Sequence, residues 1–265
     1  AGDENFFHWA SFFDPHPSYL VPEPWDEMYD PDDITLPTLS EGEHKQNPPH
    51  FQKTQEENPD FSEYVSDDFE GVHALHGFHS HLHDPQVMKK NIAVYYGMVS
   101  LMDKYIGKIL DKLEELGMAD NTIIVFTTDH GNLFGQHGLT AKGAFHYEDL
   151  LRLPFLVRYP GQVPAGKTCD SLQSLVDLAP TFLNFCDLEV PNSMTGKDQS
   201  QVWLGKEEKV RNHIICENRH EPDTLNLKTY VGERYKITVY YDREYGELFD
   251  LKEDPKEVNN LWDNE

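Results

Sequence analysis

No stretch of this sequence stays apolar over the roughly 20 residues that a bilayer-spanning helix needs. Cysteine is scarce: Cys169, Cys186 and Cys216 are the three in 265 residues, and their isolated settings argue against a disulfide framework. Basic residues are few, with 22 Lys and Arg against 47 Asp and Glu, a formal net charge of −25. Such a charge repels phosphate backbones and anionic lipid, so neither nucleic acid nor a membrane surface is an expected partner. A signal-like start is missing too, and so are internal repeats.

What is there suffices for one large or two modest domains. Between Asp14 and about Ser80, nine prolines from Pro15 to Pro59 break any long element, with acidic and aromatic residues between them. So long an irregular segment is expected to wrap the surface and shape one wall of a cleft. Before it, Phe6 to Phe13 reads as a short apolar strand. After it, Asp84 and Pro85 form an N-cap and first-turn pair. Ile92, Tyr95/Tyr96, Val99, Met102, Ile106, Ile109/Leu110, Leu113 and Leu116 then recur at spacings of three and four up to Gly117, so the spacing predicts a helix packed on a sheet face. Thr122 to Thr127 is a β-branched and aromatic run expected to be buried on both faces, as in a parallel sheet. A strand at 154–159 and a helix around 177–186 follow. From His213 onward, short β segments at 213–217, 228–231, 235–241 and 247–251 predict a small antiparallel sheet.

The run at Thr122 ends in Asp129-His130-Gly131. In open α/β sheets ligands bind beyond the carboxyl ends of the strands, so an oxygen and a nitrogen ligand placed there read as half of a divalent-metal site. Lys142 can return over the same place as an anion anchor. A second cluster, His73, His76, His79, His81 and His83, has spacings that fit neither one helix face nor one strand face. A loop that recognises an anionic substrate is the preferred reading for it, and an independent metal site the alternative.

Thr127-Thr128-Asp129-His130-Gly131, then Gly135-Gln136-His137-Gly138, then Ala141-Lys142-Gly143 resemble the C-terminal half of the sulfatase family. That family shares an alkaline-phosphatase-like α/β fold with phosphonate monoester hydrolases. The segments Phe6–Tyr19, Leu153–Gly161, Ser174–Thr181 and Gly246–Leu261 resemble further family motifs in the same order. The resemblance implies a partial, mixed and mainly parallel sheet over 1–205, the C-terminal part of the catalytic α/β domain. A small C-terminal α+β subdomain with an antiparallel sheet would cover 206–265.

It also implies roles. Asp129 and His130 would hold a divalent metal ion, calcium first, with manganese or zinc made easier by a histidine where many sulfatases have asparagine. Lys142 would bind a sulfate oxygen and offset transition-state charge. His16 would bind the sulfate group and protonate the leaving oxygen, work suited to an imidazole. His137 would line the pocket or orient its loop, and His81 and His220 would contact substrate; His146, Glu148 and Glu217 are weaker candidates for the substrate wall.

The family's Cys/Ser-x-Pro-x-Arg nucleophile and amino-terminal Asp-Asp pair have no counterpart here. The expectation is therefore a fragment of a hydrolase of small-molecule or glycan sulfate esters, inactive without its amino-terminal half. Faces bared by that loss would favour self-association into a homo-oligomer. Two other readings are a phosphonate or phosphate ester hydrolase of the same fold and a non-catalytic metal-binding module.

Overall fold

A computed structural model describes residues 4–65, 77–78, 80, 84–219 and 224–264. The chain divides into two compact units, Ala1–Leu36 with His83–Ile123, and Pro37–Leu82 with Ile124–Glu265.

The first unit is built on a long helix. Asp84 accepts from the Gln86 and Val87 amides at 2.8 and 3.1 Å, capping the helix as its sequence predicts. It runs over Pro85–Glu115. At its end Gly117, at φ +66°, donates to Glu114 O, and Met118 donates to Leu113 O, both at 2.9 Å. This pair of bonds is a Schellman stop that a left-handed glycine permits. Met88, Ile92, Ala93, Gly97 and Met98 are buried, and the short 3-10 turn Trp25–Glu27 packs on the helix. The backbone there comes so close that a Cβ on Gly97 would stand 2.1 Å from Trp25 O. The apolar stripe continues beyond this contact, where Val99, Ile109, Leu110 and Leu116 are exposed. Phe6 to Phe13 differs from expectation: it is irregular and exposed, because no strand among the described residues pairs with it.

Before its final sheet the second unit runs through short helices and strands. A short helix α1 spans Pro49–Lys53, and the long helix of the first unit is α2. Strand β1 (Ile124–Thr127) is followed by a hairpin of β2 (Leu133–Phe134) and β3 (Thr140–Ala141). Then come α3 (Glu148–Leu151) and β4 (Phe155–Arg158). Among the described residues β1 pairs only with β4, and the pair is antiparallel, with Phe126 opposite Leu156. Both of these side chains are exposed. The strand is thus present, but the double burial and parallel partner expected of it are not. An apolar run fixes neither the direction nor the number of its neighbours.

Helices α4 (Leu178–Phe185) and α5 (Ser200–Trp203) lead to β5 (His213–Asn218), β6 (Leu227–Gly232), β7 (Tyr235–Tyr240) and β8 (Gly246–Asp250). These four form one antiparallel sheet in chain order. Period-two alternation buries Leu227, Thr229 and Val231 while exposing Lys228 and Tyr230.

The core of this unit is largely aromatic. Phe51, Phe61, Tyr64, Phe78, Phe145, Tyr147, Tyr240 and Phe249 are buried together, with edge-to-face pairs such as Phe51–Phe145 at 5.0 Å. The segment expected to wrap the surface therefore contributes core at Phe51, Phe61 and Tyr64. Its aromatic residues are drawn inside, while the prolines stop only regular structure.

Candidate functional site

Beyond β1 the chain lies directly on the backbone of α3. The Gly131 amide donates to Leu150 O at 2.9 Å, and a Cβ at Gly131 would stand 1.8 Å from Asp149 O. Only glycine permits this approach. Asp129 and His130 are fixed just before that anchor. Asp129 Oδ1 accepts from the His130 amide at 2.9 Å and the Thr128 hydroxyl at 3.2 Å, while its Oδ2 faces His130 Nε2 at 3.5 Å. Partial burial raises the Asp129 pKa, but the adjoining His130 ring and these hydrogen bonds outweigh it and hold the carboxyl below its ordinary value.

His130 Nδ1 lies 2.8 Å from Gly131 O. A carbonyl can only accept, so Nδ1 carries the proton and Nε2 presents its lone pair. Lys142 Nζ donates to that lone pair at 3.2 Å. The hairpin β2–β3 brings it there, since Lys142 is the residue after β3. Asp129, His130 and Lys142, expected from the sequence to share one place, are therefore brought together.

The donor chemistry fits a divalent cation in part. A carboxylate oxygen and an imidazole nitrogen 3.5 Å apart can both reach one ion at about 2.0–2.6 Å. Among the described residues no third His, Cys, Asp or Glu gathers with them. Such ions take about four to eight ligands, so two donors alone do not complete a set.

His137 lies elsewhere in its loop, at the tip of the hairpin. It is buried at φ 56°, its ring stacked on Tyr147 with centroids 3.6 Å apart. Nδ1 donates to Glu43 Oε1 at 2.5 Å, and Nε2 stands 3.6 Å from Asp149 Oδ2. Burial alone would lower the His137 pKa, but the two carboxylates raise it to about 9. Both ring nitrogens are thus engaged within the fold. Glu43 and Asp149 were missed by sequence reasoning. Glu43 is 94 positions from its partner, and no spacing pattern links them.

His16 belongs to the first unit, where it is exposed and Nδ1 donates to Pro17 O at 2.5 Å. His146 is buried, Nδ1 against Thr229 Oγ1 at 2.7 Å, and burial followed by the Lys236 charge pushes its pKa down to about 4. That partner, Thr229, belongs to β6 of the final sheet. Glu148 anchors α3 through its amide, which donates to Glu257 Oε2 at 2.6 Å. His81, His220 and the whole histidine run from His73 to His83 lie outside the described residues.

Comparison with known proteins adds to this geometry. A family model described as sulfatase matches residues 1–188, and one described as the C-terminal part of N-sulphoglucosamine sulphohydrolase matches residues 135–265. The chain is 37% identical over 176 residues to an N-acetylglucosamine-6-O-sulfatase of Bacteroides thetaiotaomicron, covering 63% of this chain and 31% of that protein. It is 28% identical over 263 residues to an arylsulfatase of Clostridium perfringens, covering 98% of this chain and 50% of that one. The solved phosphonate monoester hydrolase of Agrobacterium radiobacter superposes with a TM-score of 0.74 at 25% identity, over 96% of this chain and 52% of its own. The chain thus spans 31% and 50% of the lengths of these two curated relatives.

Proposed function

Because the chain belongs to the sulfatase family, we propose that it is the C-terminal portion of a metal-dependent sulfatase hydrolysing a small-molecule or glycan sulfate ester. The observation that carries this reading is the approach of Lys142 Nζ to His130 Nε2 at 3.2 Å, with Asp129 Oδ2 3.5 Å from the same nitrogen. One cation and two ligand atoms meet there on a partly exposed surface, as recognition of an oxyanion beside a metal requires. The names of two relatives, an N-acetylglucosamine-6-O-sulfatase and an arylsulfatase, support sulfate esters as the substrate class.

Asp129 and His130 would hold the cation, calcium in the first instance and manganese or zinc as alternatives. Bound there, it supplies positive charge against the sulfate oxygens. Lys142 then binds a sulfate oxygen as a point charge in place of its present bond to His130. No Cys/Ser-x-Pro-x-Arg motif occurs in residues 1–265. We assign the formylglycine nucleophile, and the remaining metal ligands, to an amino-terminal half of the enzyme.

A phosphonate or phosphate ester hydrolase is the second reading, favoured by the likeness to the Agrobacterium enzyme. The test is turnover of 4-nitrophenyl sulfate and of a phenyl phosphonate monoester by the complete protein and its Lys142→Ala variant. Preference for the sulfate, with kcat/KM reduced about 100-fold or more in the variant, is the expected outcome. Preference for the phosphonate would install the second reading, and an unaffected variant would remove Lys142 from the site.

A further inference from the structure

We infer that Glu43 is a positioning residue for the candidate site, acting through His137 to hold the loop carrying Lys142 against the loop carrying His130. The inference rests on the reading of Asp129, His130 and Lys142 given above and extends it to a residue outside that cluster.

His137 touches both arms of the site. It sits between β2 and β3, so its position sets that of Ala141 and Lys142 at the end of the hairpin. Its Nε2 faces Asp149, whose carbonyl lies against Gly131 beside His130, next to the Leu150 carbonyl that accepts the Gly131 amide. Glu43 closes the arrangement from the other side. Its Oε1 takes the Nδ1 proton, and its Oε2 accepts from the Ser40 amide at 3.1 Å. The same 3-10 turn, Glu43–Gln46, sends His44 Nε2 to the His137 carbonyl at 2.8 Å. Just after it, Asn47 Nδ2 donates to the Tyr147 hydroxyl at 3.1 Å, under the imidazole that stacks on that ring.

Glu43 and His137 are both nearly excluded from water, with side chains 2% and 8% exposed. A buried carboxylate needs a buried charge beside it, so the pair holds His137 protonated, with its hydrogen bond to Glu43 made and its Nε2 facing Asp149. The groups facing His137 are Glu43 and His44 on the 3-10 turn, Asp149 on α3, Tyr147, and at longer range Glu247 on β8.

The experiment follows amide hydrogen exchange at Gly131 and Gly135 by NMR across pH in the full chain. Rates are corrected for intrinsic base catalysis, and the His137 ring is titrated in parallel. In the parent, protection at both amides should fall together with loss of the His137 proton near pH 9. In Glu43→Gln the fall should begin about one to three pH units lower, and Glu43→Asp should restore part of the shift.

A loss of protection by one constant factor at every pH would mark Glu43 as packing alone and overturn the inference. So would a His137 titration that moves while Gly131 stays protected. If Glu43→Gln does not fold, Asp149→Asn, at the 38% exposed end of the arrangement, decides. A shift in the same direction supports the inference, and an unchanged midpoint overturns it. No cation or ester enters this experiment, so its failure is separate from failure of the turnover test on Lys142.

Discussion

His130 and His137 stand seven residues apart in one loop region, each beside an aspartate or glutamate, and their settings are opposite. The His130 and Asp129 side chains are 39% and 78% exposed and face each other at 3.5 Å. His137 and Glu43 are sealed from water and meet at 2.5 Å. Residue type is the same in both pairs, and burial decides what each can do. The open pair leaves a carboxylate oxygen at the surface beside an imidazole nitrogen that holds Lys142. The closed pair spends its hydrogen-bonding capacity inside the fold, and its yield is a fixed loop.

Breaking the closed pair should have the largest effect. His137→Ala leaves Glu43 buried without its counter-charge, and unfolding in urea should register a loss of about 3–5 kcal/mol. Next is Gly131→Ala. A methyl group 1.8 Å from Asp149 O must displace α3 or the Asp129–His130 loop, an overpacking cost of about 3 kcal/mol by the same measurement.

The third contrast is with pH. His137 has a folded-state value of about 9 against an ordinary 6.5, so its stabilisation is fully present below pH 6.5 and is lost as pH rises through 9. Buried Glu247, raised by desolvation to about 7, loses its contribution in the same direction between its ordinary 4.5 and 7. His50 and His146, pushed down by burial to about 3 and 4, act only below 6.5, where acid removes stability. Denaturation curves at pH 6.5 and 9.5 should therefore differ by about 2–3 kcal/mol, and the difference should shrink in Glu43→Gln. Asp129→Ala should come last, within about 0.5 kcal/mol of the parent in stability, because its side chain is mostly in water. Its consequence belongs to ligand binding.

The sequence conveyed much of this fold where the signal is local. Asp84, Pro85 and Gly117 marked both ends of α2, because caps and a left-handed stop are chemistry of neighbouring residues. Strands β5 to β8 fall within one or two residues of the expected segments, since alternation along each strand records which face is buried. The meeting of Asp129, His130 and Lys142 was also legible, a dozen residues from end to end.

Long-range facts were not. The direction in which β4 pairs with β1 depends on the 27-residue connection of 128–154 rather than on the apolar run itself. Phe51, Phe61 and Tyr64 looked like decoration on a proline-rich wrap, although their rings fill the core. Glu43 stands 94 positions from His137 in the chain. Only the folded chain brings it to His137.

The most direct test of the account is a calorimetric titration of calcium and of manganese into the complete protein, which would carry the remaining ligands, and into its Asp129→Ala/His130→Ala double variant. The account predicts binding in the parent that is lost in the variant. Equal heats in the two proteins, whether from binding or from none, would contradict it.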